Sequence, residues 1–580
     1  MRRGNVVRRL LGLLRPQAGL MAVSSACRIA NQTLGVAIPA VAAVAVAGIA
    51  IGQTSGVWVM VGWLVLMAVV KGAFRYLEQY TGHAVAFSLL ADLRADTYRR
   101  IEPLAPAGLE DERSGDLVAR VVGDVDRVEP FYAHTIAPLI GSVFVPLLSI
   151  GGLAIFGDAV TTLALAPFPL AIVIVPPWLH ARRVAALSSD LRTLSGEAAA
   201  MLTDAVQGSR EIAVLAAEPL IADRIEGRSL ASQGVRSRLA GLGSVRSGLS
   251  DLLAGGAVIV TTLVAAVRFD QGAISLPVLA AAVAVAWVVT GPARALEEIV
   301  PDLEQALASA ARLFELSDRR PPVTEPDGDL AHPADGSIRY EAVSVRLGGE
   351  GTVALDDVDL EIPDGGVVAI VGPSGSGKST LVELLVRFRD PDEGRVLVGG
   401  SDVRRIPLSE LRSQVALVSQ RPELFFGTVR DNLLLAKPDA TDPELLEALE
   451  KAALGDWAAS LSNALDTAIG ELGDTLSGGQ RQRLALTRGL LRDARIMVLD
   501  EATSELDAEA ARRVQDTIEA ERGRRTIVIV AHRLETVTDA DLLVVLDRGR
   551  LVETGTHHEL VTAGGMYAGL WQRHLDMIEE

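Results

Sequence analysis

Cysteine is nearly missing from this sequence: Cys27 is the only one in 580 residues, which excludes an intrachain disulfide, a CxxC redox pair and a cysteine-built metal site. Cys27 lies in an apolar run and reads as a small packing residue of a helix. Basic charge is also in deficit, with 55 Lys and Arg against 73 Asp and Glu and a net charge of −18. Phosphate backbones require a basic surface, so nucleic acid is excluded as the main partner. A third absence concerns residues 1–20, where no small-residue cleavage site follows a short apolar stretch, so a signal peptide is not expected. Instead Arg2, Arg3, Arg8, Arg9 and Arg15 precede the first long apolar run. The positive-inside rule puts that end in the cytoplasm and predicts an interfacial elbow helix.

What the chain does have is apolar length. Hydrophobic residues make up 49% and charged residues 22%, with a mean hydropathy of +0.31, a mixture that suits a membrane half joined to a soluble half. A chain of 580 residues also exceeds one ordinary core. The expected division is a membrane domain over 1–318, a linker rich in Pro, Asp and Gly over 319–336, and a soluble domain over 337–580.

Six stretches supply the roughly 20 apolar residues that a bilayer span requires: residues 17–51, 56–82, 133–156, 159–180, 248–268 and 274–296. The links Gln53 to Val57, Gly157 to Asp158 and Phe269 to Ala273 are short and read as outside turns. Two others, Ala84 to Asp126 and Arg182 to Arg246, are long, helical in pattern and rich in charge. Charges are costly in hydrocarbon, so these must project into the cytoplasm as two long hairpins. At their tips, Pro103 to Asp116 and Gly208 to Pro219 contain breakers and short amphipathic pieces, which predict helices lying across each end.

Polar side chains interrupt or flank the apolar runs: Arg28, Lys71, Arg75, Glu78, His83, Arg294, Glu297 and Glu298. Ionisable groups within spans point to a pathway or a pair. Arg75, Glu78 and His83 are the candidate substrate contacts, although Arg75 and Glu78 are three apart and equally suit an intrahelical salt bridge. His83 equally suits a hydrogen-bonded packing role.

The soluble half opens on chemistry that is more specific. Ala369 to Val371 completes a strand, and Gly372, Pro373, Ser374, Gly375, Ser376, Gly377, Lys378, Ser379 and Thr380 follow, running into a helix. This is a full P-loop in its required setting: glycines let backbone N–H groups wrap phosphates, Lys378 neutralises the outer ones, and Ser379 reaches magnesium. Ile496 to Asp500 is a buried strand ending in Asp500, suited to the magnesium shell, and Glu501, placed to polarise an attacking water. ATP and Mg2+ are therefore the expected ligands. Between them, Leu476, Ser477, Gly478, Gly479 and Gln480 open a basic helix whose N–H groups face a second anion.

These last residues resemble the signature motif of ABC transporters. The resemblance extends in order to Gln420 as the Q-loop glutamine, Ser504 to Asp507 as the D-loop, and His532 as the switch histidine. It implies that two nucleotide domains pack head to tail. Lys378, Ser379, Gln420, Asp500, Glu501 and His532 then serve one site, and Ser477 to Gln480 the partner's. Glu501, His532 and Gln420 become the catalytic set; Ser379, Gln420 and Asp500 the metal set; Asp507 joins the nucleotide contacts. One departure concerns adenine, because Leu347 falls where the family usually has a stacking aromatic, leaving Tyr340 or Arg346 as substitutes. Glu505 also stands where a small residue is common; both departures fit two unequal sites.

Membrane domain followed by ATPase, with six spans and long hairpins, is similar to the type IV exporter architecture across the whole chain. The fold class is thus an α-helical transmembrane domain of six helices fused to an α/β P-loop ABC ATPase domain. Within that family, Phe74 to His83 (FRYLEQYTGH), Leu104 to Gly108 (LAPAG) and Arg113 to Asp126 (RSGDLVARVVGDVD) resemble the CydC subunits of CydDC transporters. That resemblance implies a heterodimer with a CydD-like partner in the bacterial inner membrane. It also implies export of cysteine or glutathione, or handling of haem beside His83, for cytochrome bd assembly. Drug, lipid, peptide and siderophore transport remain alternatives on the same architecture, as does a homodimer. A soluble ABC ATPase acting on DNA or ribosomes fails on the six apolar spans.

Overall fold

The computed structural model describes residues 3–53, 56–110, 112, 117–328, 330–347, 352–470, 476–502, 506–531 and 533–579. The chain divides into two compact units, residues 1–102 with 112–319, and residues 103–111 with 320–580.

The first unit is helical. A short helix α1 (Arg3–Leu13) leads into α2 (Ala18–Ala50), and α3 (Val57–Ile101) returns beside it. Then come α4 (Ala137–Phe156), α5 (Ala159–Leu165), α6 (Pro167–Trp178), α7 (Ala181–Gln207), α8 (Ser209–Val214), α9 (Glu218–Asp270), α10 (Leu276–Val288) and α11 (Gly291–Ser317). Among the described residues, six segments are long and apolar enough to cross a membrane: Arg15–Ala50, Val57–Leu104, Arg120–Phe156, Ala159–Trp178, Glu218–Asp270 and Leu276–Ser317. Each overlaps one of the expected spans: 133–156 and 248–268 lie wholly inside, the other four expected spans overrun the observed segment by one or two residues, and Val57–Leu104, Arg120–Phe156 and Glu218–Asp270 extend well into the charged stretches. Trp58, Trp63, Val69, Leu147, Ile155 and Leu163 point outward, an arrangement costly in water but matched to hydrocarbon.

Two cores hold this unit. In one, Val6 and Leu10 of α1 meet Val85, Leu89 and Leu93 of α3 and Leu313 and Phe314 of α11, and the Tyr132 hydroxyl donates to the Leu10 carbonyl at 2.9 Å. In the other, Val36, Val145, Leu165, Ala257 and Val285 interdigitate. Between α3 and α4 the chain makes two π-helical segments, Ala119–Asp124 and Tyr132–Ile136, a geometry common where function needs an extra residue in a turn.

The two tips differ in helix type. Ser209–Val214 is a short α-helix at the second hairpin. At the first tip the described residues make two short 3-10 helices, Glu102–Leu104 and Ala107–Leu109. Pro103 and Pro106 lack the N–H that an α-helical ladder needs there. Residues 111 and 113–116 of that stretch lie outside the described set.

The second unit is α/β. Strands β1 (Ile338–Leu347), β2 (Thr352–Ile362), β4 (Glu393–Val398) and β5 (Ser401–Asp402) form an antiparallel sheet in the order β2-β1-β4-β5. The larger sheet runs β12-β11-β3-β10-β9-β6, from β12 (Arg550–Gly555), β11 (Leu542–Asp547), β3 (Val367–Val371), β10 (Thr526–Val530), β9 (Ile496–Asp500) and β6 (Val415–Val418). All its pairings are parallel except β11 with β12. Strands β3 and β10 read as uninterrupted apolar runs because both sheet faces are covered. In such sheets ligands gather at the carboxyl ends of the strands. There β3, β9 and β10 end on Val371, Asp500 and Val530, next to the residues singled out above.

Candidate functional site

The P-loop joins β3 to α12 (Lys378–Leu385). Gly377 caps that helix at φ 103°, and a Cβ there would lie 2.5 Å from the Ala354 carbonyl, so only glycine closes the loop. Lys378 is buried, and its ammonium donates to the carbonyls of Gly372 at 2.8 Å and Pro373 at 3.0 Å, which holds it inside the loop. Burial pushes its pKa down from the ordinary lysine range, opposed by the carboxylates of Glu501 and Asp500. Ser376 is buried with a hydroxyl that has no hydrogen-bond partner, an orphaned polar atom in a loop shaped for phosphate. Ser379 is exposed on the first helical turn, and Thr380 is buried behind it.

Asp500 ends β9, and Glu501 follows at φ 52°, a left-handed conformation rare for a non-glycine residue. Three bonds hold Glu501 there. Its amide donates to the Val530 carbonyl at 3.0 Å, its carboxylate accepts from Gln420 Nε2 at 2.7 Å, and its carbonyl accepts from Gln482 Nε2 at 2.6 Å. Gln420, two residues beyond β6, is thereby brought to the Glu501 carboxylate. Gln482 had not been singled out; its place in the signature helix gives no hint of a bond to Glu501. Ser379 and Asp500 offer the hard oxygen donors that Mg2+ takes together with nucleotide phosphates. Among the described residues no cluster of three His, Cys, Asp or Glu side chains could hold a metal unaided.

Ser477 caps α13 (Gly478–Leu491) in a reciprocal box: its hydroxyl accepts from the Gln480 amide at 3.2 Å, and Gln480 Oε1 accepts from the Ser477 amide at 2.9 Å. The amides of Gly478 and Gly479 are left at the helix start, the end that favours an anion. Asp507 caps the helix that begins at Ala508, its carboxylate accepting from the Ala510 amide at 2.8 Å. His532, Ser504 and Glu505 lie outside the described residues.

The adenine expectation needs correction. Tyr340 is 3% exposed and its hydroxyl donates to the Leu381 carbonyl, so it is a core residue and cannot stack on a base. A bulge at Ala342 (φ 47°) shifts the alternation of β1, putting Val343, Val345 and Leu347 on the core face. Arg346 is exposed.

In the first unit, Glu78 is 5% exposed and is gripped by Arg28 Nη1 at 2.6 Å and Asn31 Nδ2 at 3.2 Å, both from α2. Arg75 adds the expected intrahelical contact at 3.5 Å, but the interhelical pair with Arg28 is closer. His83 sits away from this pair, its Nδ1 3.4 Å from Glu129 and its ring edge-on to His134. Arg294 pairs with Asp251, and the side chains of Glu297 and Glu298 lie outside the described set.

Residues 355–504 match the family model described as ABC transporter, and residues 21–292 that of the ABC transporter transmembrane region. The chain is 33% identical over 538 residues to the ATP-dependent lipid A-core flippase of Ralstonia nicotianae, covering 90% of this chain and 88% of that one. It is 32% identical over 501 residues to the glutathione/L-cysteine transport system ATP-binding/permease protein CydC of Escherichia coli K12, covering 86% and 87%. A bacterial Atm1-family ABC exporter with ATP bound superposes with a TM-score of 0.79 at 24% identity, covering 98% of both chains.

Proposed function

Because this chain belongs to the ABC transporters, as a half-transporter of type IV exporter fold that dimerises and hydrolyses ATP, we propose that it drives an anionic amphiphile of the lipid class across the membrane. The observation that carries this reading is charge. Between residues 18 and 83 the ionised side chains are Arg28, Lys71, Arg75 and Glu78, three cations against one carboxylate. Glu78 is already engaged by Arg28, and Lys71 lies along α2 beside Gly35, so the pair of helices carries a positive surplus suited to a phosphorylated or carboxylated headgroup. Six of the relatives named alongside CydC are lipid A-core flippases at 30–33% identity, which supports the same class.

In the proposed cycle each ATP lies between the P-loop of one chain and Ser477 to Gln480 of the other. P-loop amides and Lys378 hold the phosphates, and Ser379, Gln420 and Asp500 complete the Mg2+ shell. Glu501 orients the attacking water and draws off its proton, and His532 steadies the terminal phosphate. In this reading the ATPase unit lies on the cytoplasmic side of a bacterial inner membrane, an orientation that the N-terminal arginines support.

A second reading, cysteine or glutathione export with a CydD-like partner, is favoured by the likeness to CydC. Haem, expected from the same resemblance, is named neither by the flippase relatives nor by the CydC relative. ATPase assays in nanodiscs separate the readings. Stimulation by a phosphorylated lipid A-type amphiphile, lost on dephosphorylating it and in Lys71→Ala with Arg75→Ala, supports the first. Stimulation by glutathione or cysteine alone supports the second and overturns the first.

A further inference from the structure

The last helix, α14 (Met566–Glu579), is fixed at its base. Tyr567 is fully buried, its amide and that of Met566 donate to the Glu553 carboxylate, and its hydroxyl bonds His557 Nδ1 at 2.8 Å. Leu570 and Trp571 pack against the core that includes Leu534 and Val537. Above that base a cavity of about 430 Å³ opens, with Gly372, Ser374, Ala531 and Leu534 on one wall and Arg573 and His574 on the other. The C-terminal helix therefore shares a compartment with the start of the P-loop and with the segment that runs on from β10.

Among the described residues, a polar contact links the C-terminal helix to the segment after position 532. His574 is 15% exposed, its Nε2 is buried without a hydrogen bond, and the group within reach is the Glu535 carboxylate at 3.6 Å. Buried ring nitrogens need partners, and a closure of roughly half an ångström turns this contact into a hydrogen bond. Glu535 is also paired with Arg533, so the carboxylate ties His574 to the segment directly after position 532. That segment continues from Val530, whose carbonyl holds the Glu501 amide, and Ala531, whose amide donates to the Ile370 carbonyl at the end of β3.

We propose that His574 is a positioning residue for ATP hydrolysis, which through Glu535 fixes the stretch following β10 and thereby the hydrolytic geometry, not nucleotide affinity. The inference rests on reading position 532 as the switch histidine. A displaced switch segment should slow turnover while the P-loop, which carries binding, keeps its shape.

The test is steady-state ATPase of the full-length dimer in nanodiscs, with thermal unfolding read alongside. His574→Ala lowers kcat about fivefold with KM for ATP unchanged, the scale of one lost hydrogen bond. His574→Gln, which keeps an N–H donor, restores most of the rate. The double variant His574→Ala, Glu535→Ala turns over as slowly as the slower single one. Unchanged kcat in His574→Ala overturns the inference, as does a loss that Gln fails to rescue or that adds to Glu535→Ala. Should His574→Ala not fold, Glu535→Gln is judged by the same kcat and KM criteria. His532→Ala is assayed in parallel: full turnover there removes the switch assignment, whereas the His574 rescue pattern is read independently.

Discussion

Gln482 donates a 2.6 Å hydrogen bond to the backbone carbonyl of Glu501, linking the second turn of the signature helix to the carboxylate at the end of β9. Gln482 is 1% exposed, so the bond is sheltered from water. Ser477, read as a contact for the partner's nucleotide, and Glu501, read as this chain's own base, thus sit on one continuous rigid path.

Replacing Gln482 with Ala should remove the 2.6 Å bond that its amide makes to the Glu501 carbonyl, at a cost of about 1 kcal/mol. Glu501 already occupies a left-handed conformation that costs on the order of 1 kcal/mol, so it should relax away from its working position. The expected result is a kcat for ATP hydrolysis about tenfold lower with KM little changed; unaltered kcat removes Gln482 from the site.

Glu501→Gln should retain ATP binding and lose turnover by about 10²-fold or more, the usual contribution of a positioned general base. Equilibrium binding of a fluorescent ATP analogue and phosphate release measure the two separately. Persistent turnover in a purified homodimer of the variant would assign the base elsewhere.

Arg28→Ala should be among the most destabilising substitutions in the first unit, because it strips the closest cation from a buried carboxylate. Breaking such a pair costs about 3–5 kcal/mol. Adding Glu78→Gln should recover much of the loss, since the amide no longer carries charge. Thermal unfolding in detergent checks both, and equal melting of the single and double variants would contradict the pairing.

Asp158, at the turn before α5, caps that helix through the Thr161 amide and pairs with Arg268 at 3.0 Å. The guanidinium of Arg268 and the Thr161 amide hold its carboxyl down to about 2. A carboxyl depressed on folding stabilises above its unfolded pKa of about 4 and loses that contribution as pH falls toward 2. Asp158→Ala should therefore cost about 1 kcal/mol at pH 7, and the gap in melting temperature from wild type should narrow between pH 4 and 2. A gap independent of pH would show that charge is not involved.

Local chemistry was legible in the sequence and distant pairing was not. The P-loop could be read because nine consecutive residues, Gly372 to Thr380, build it between one strand and one helix. The six spans could be read because length and hydropathy alone decide them. The Arg28–Glu78 pair joins residues 50 apart, and Gln482–Glu501 joins 19, separations at which no periodicity survives. Tyr340 does not serve as a stacking substitute because irregular register along β1, beginning at Ala342, resets which of its side chains face inward.

Residues 103–111 are grouped with the nucleotide-binding unit although the chain before and after them belongs to the other. Glu110 pairs there with Arg389 at 2.5 Å, and Arg389 also holds Glu383 of α12, the helix that begins at Lys378. The backbone consequently passes between the units at 102/103, 111/112 and 319/320. One stretch of the first unit's sequence is thus spliced into the second, a graft of nine residues whose Glu110 shares Arg389 with the helix that begins at the phosphate lysine.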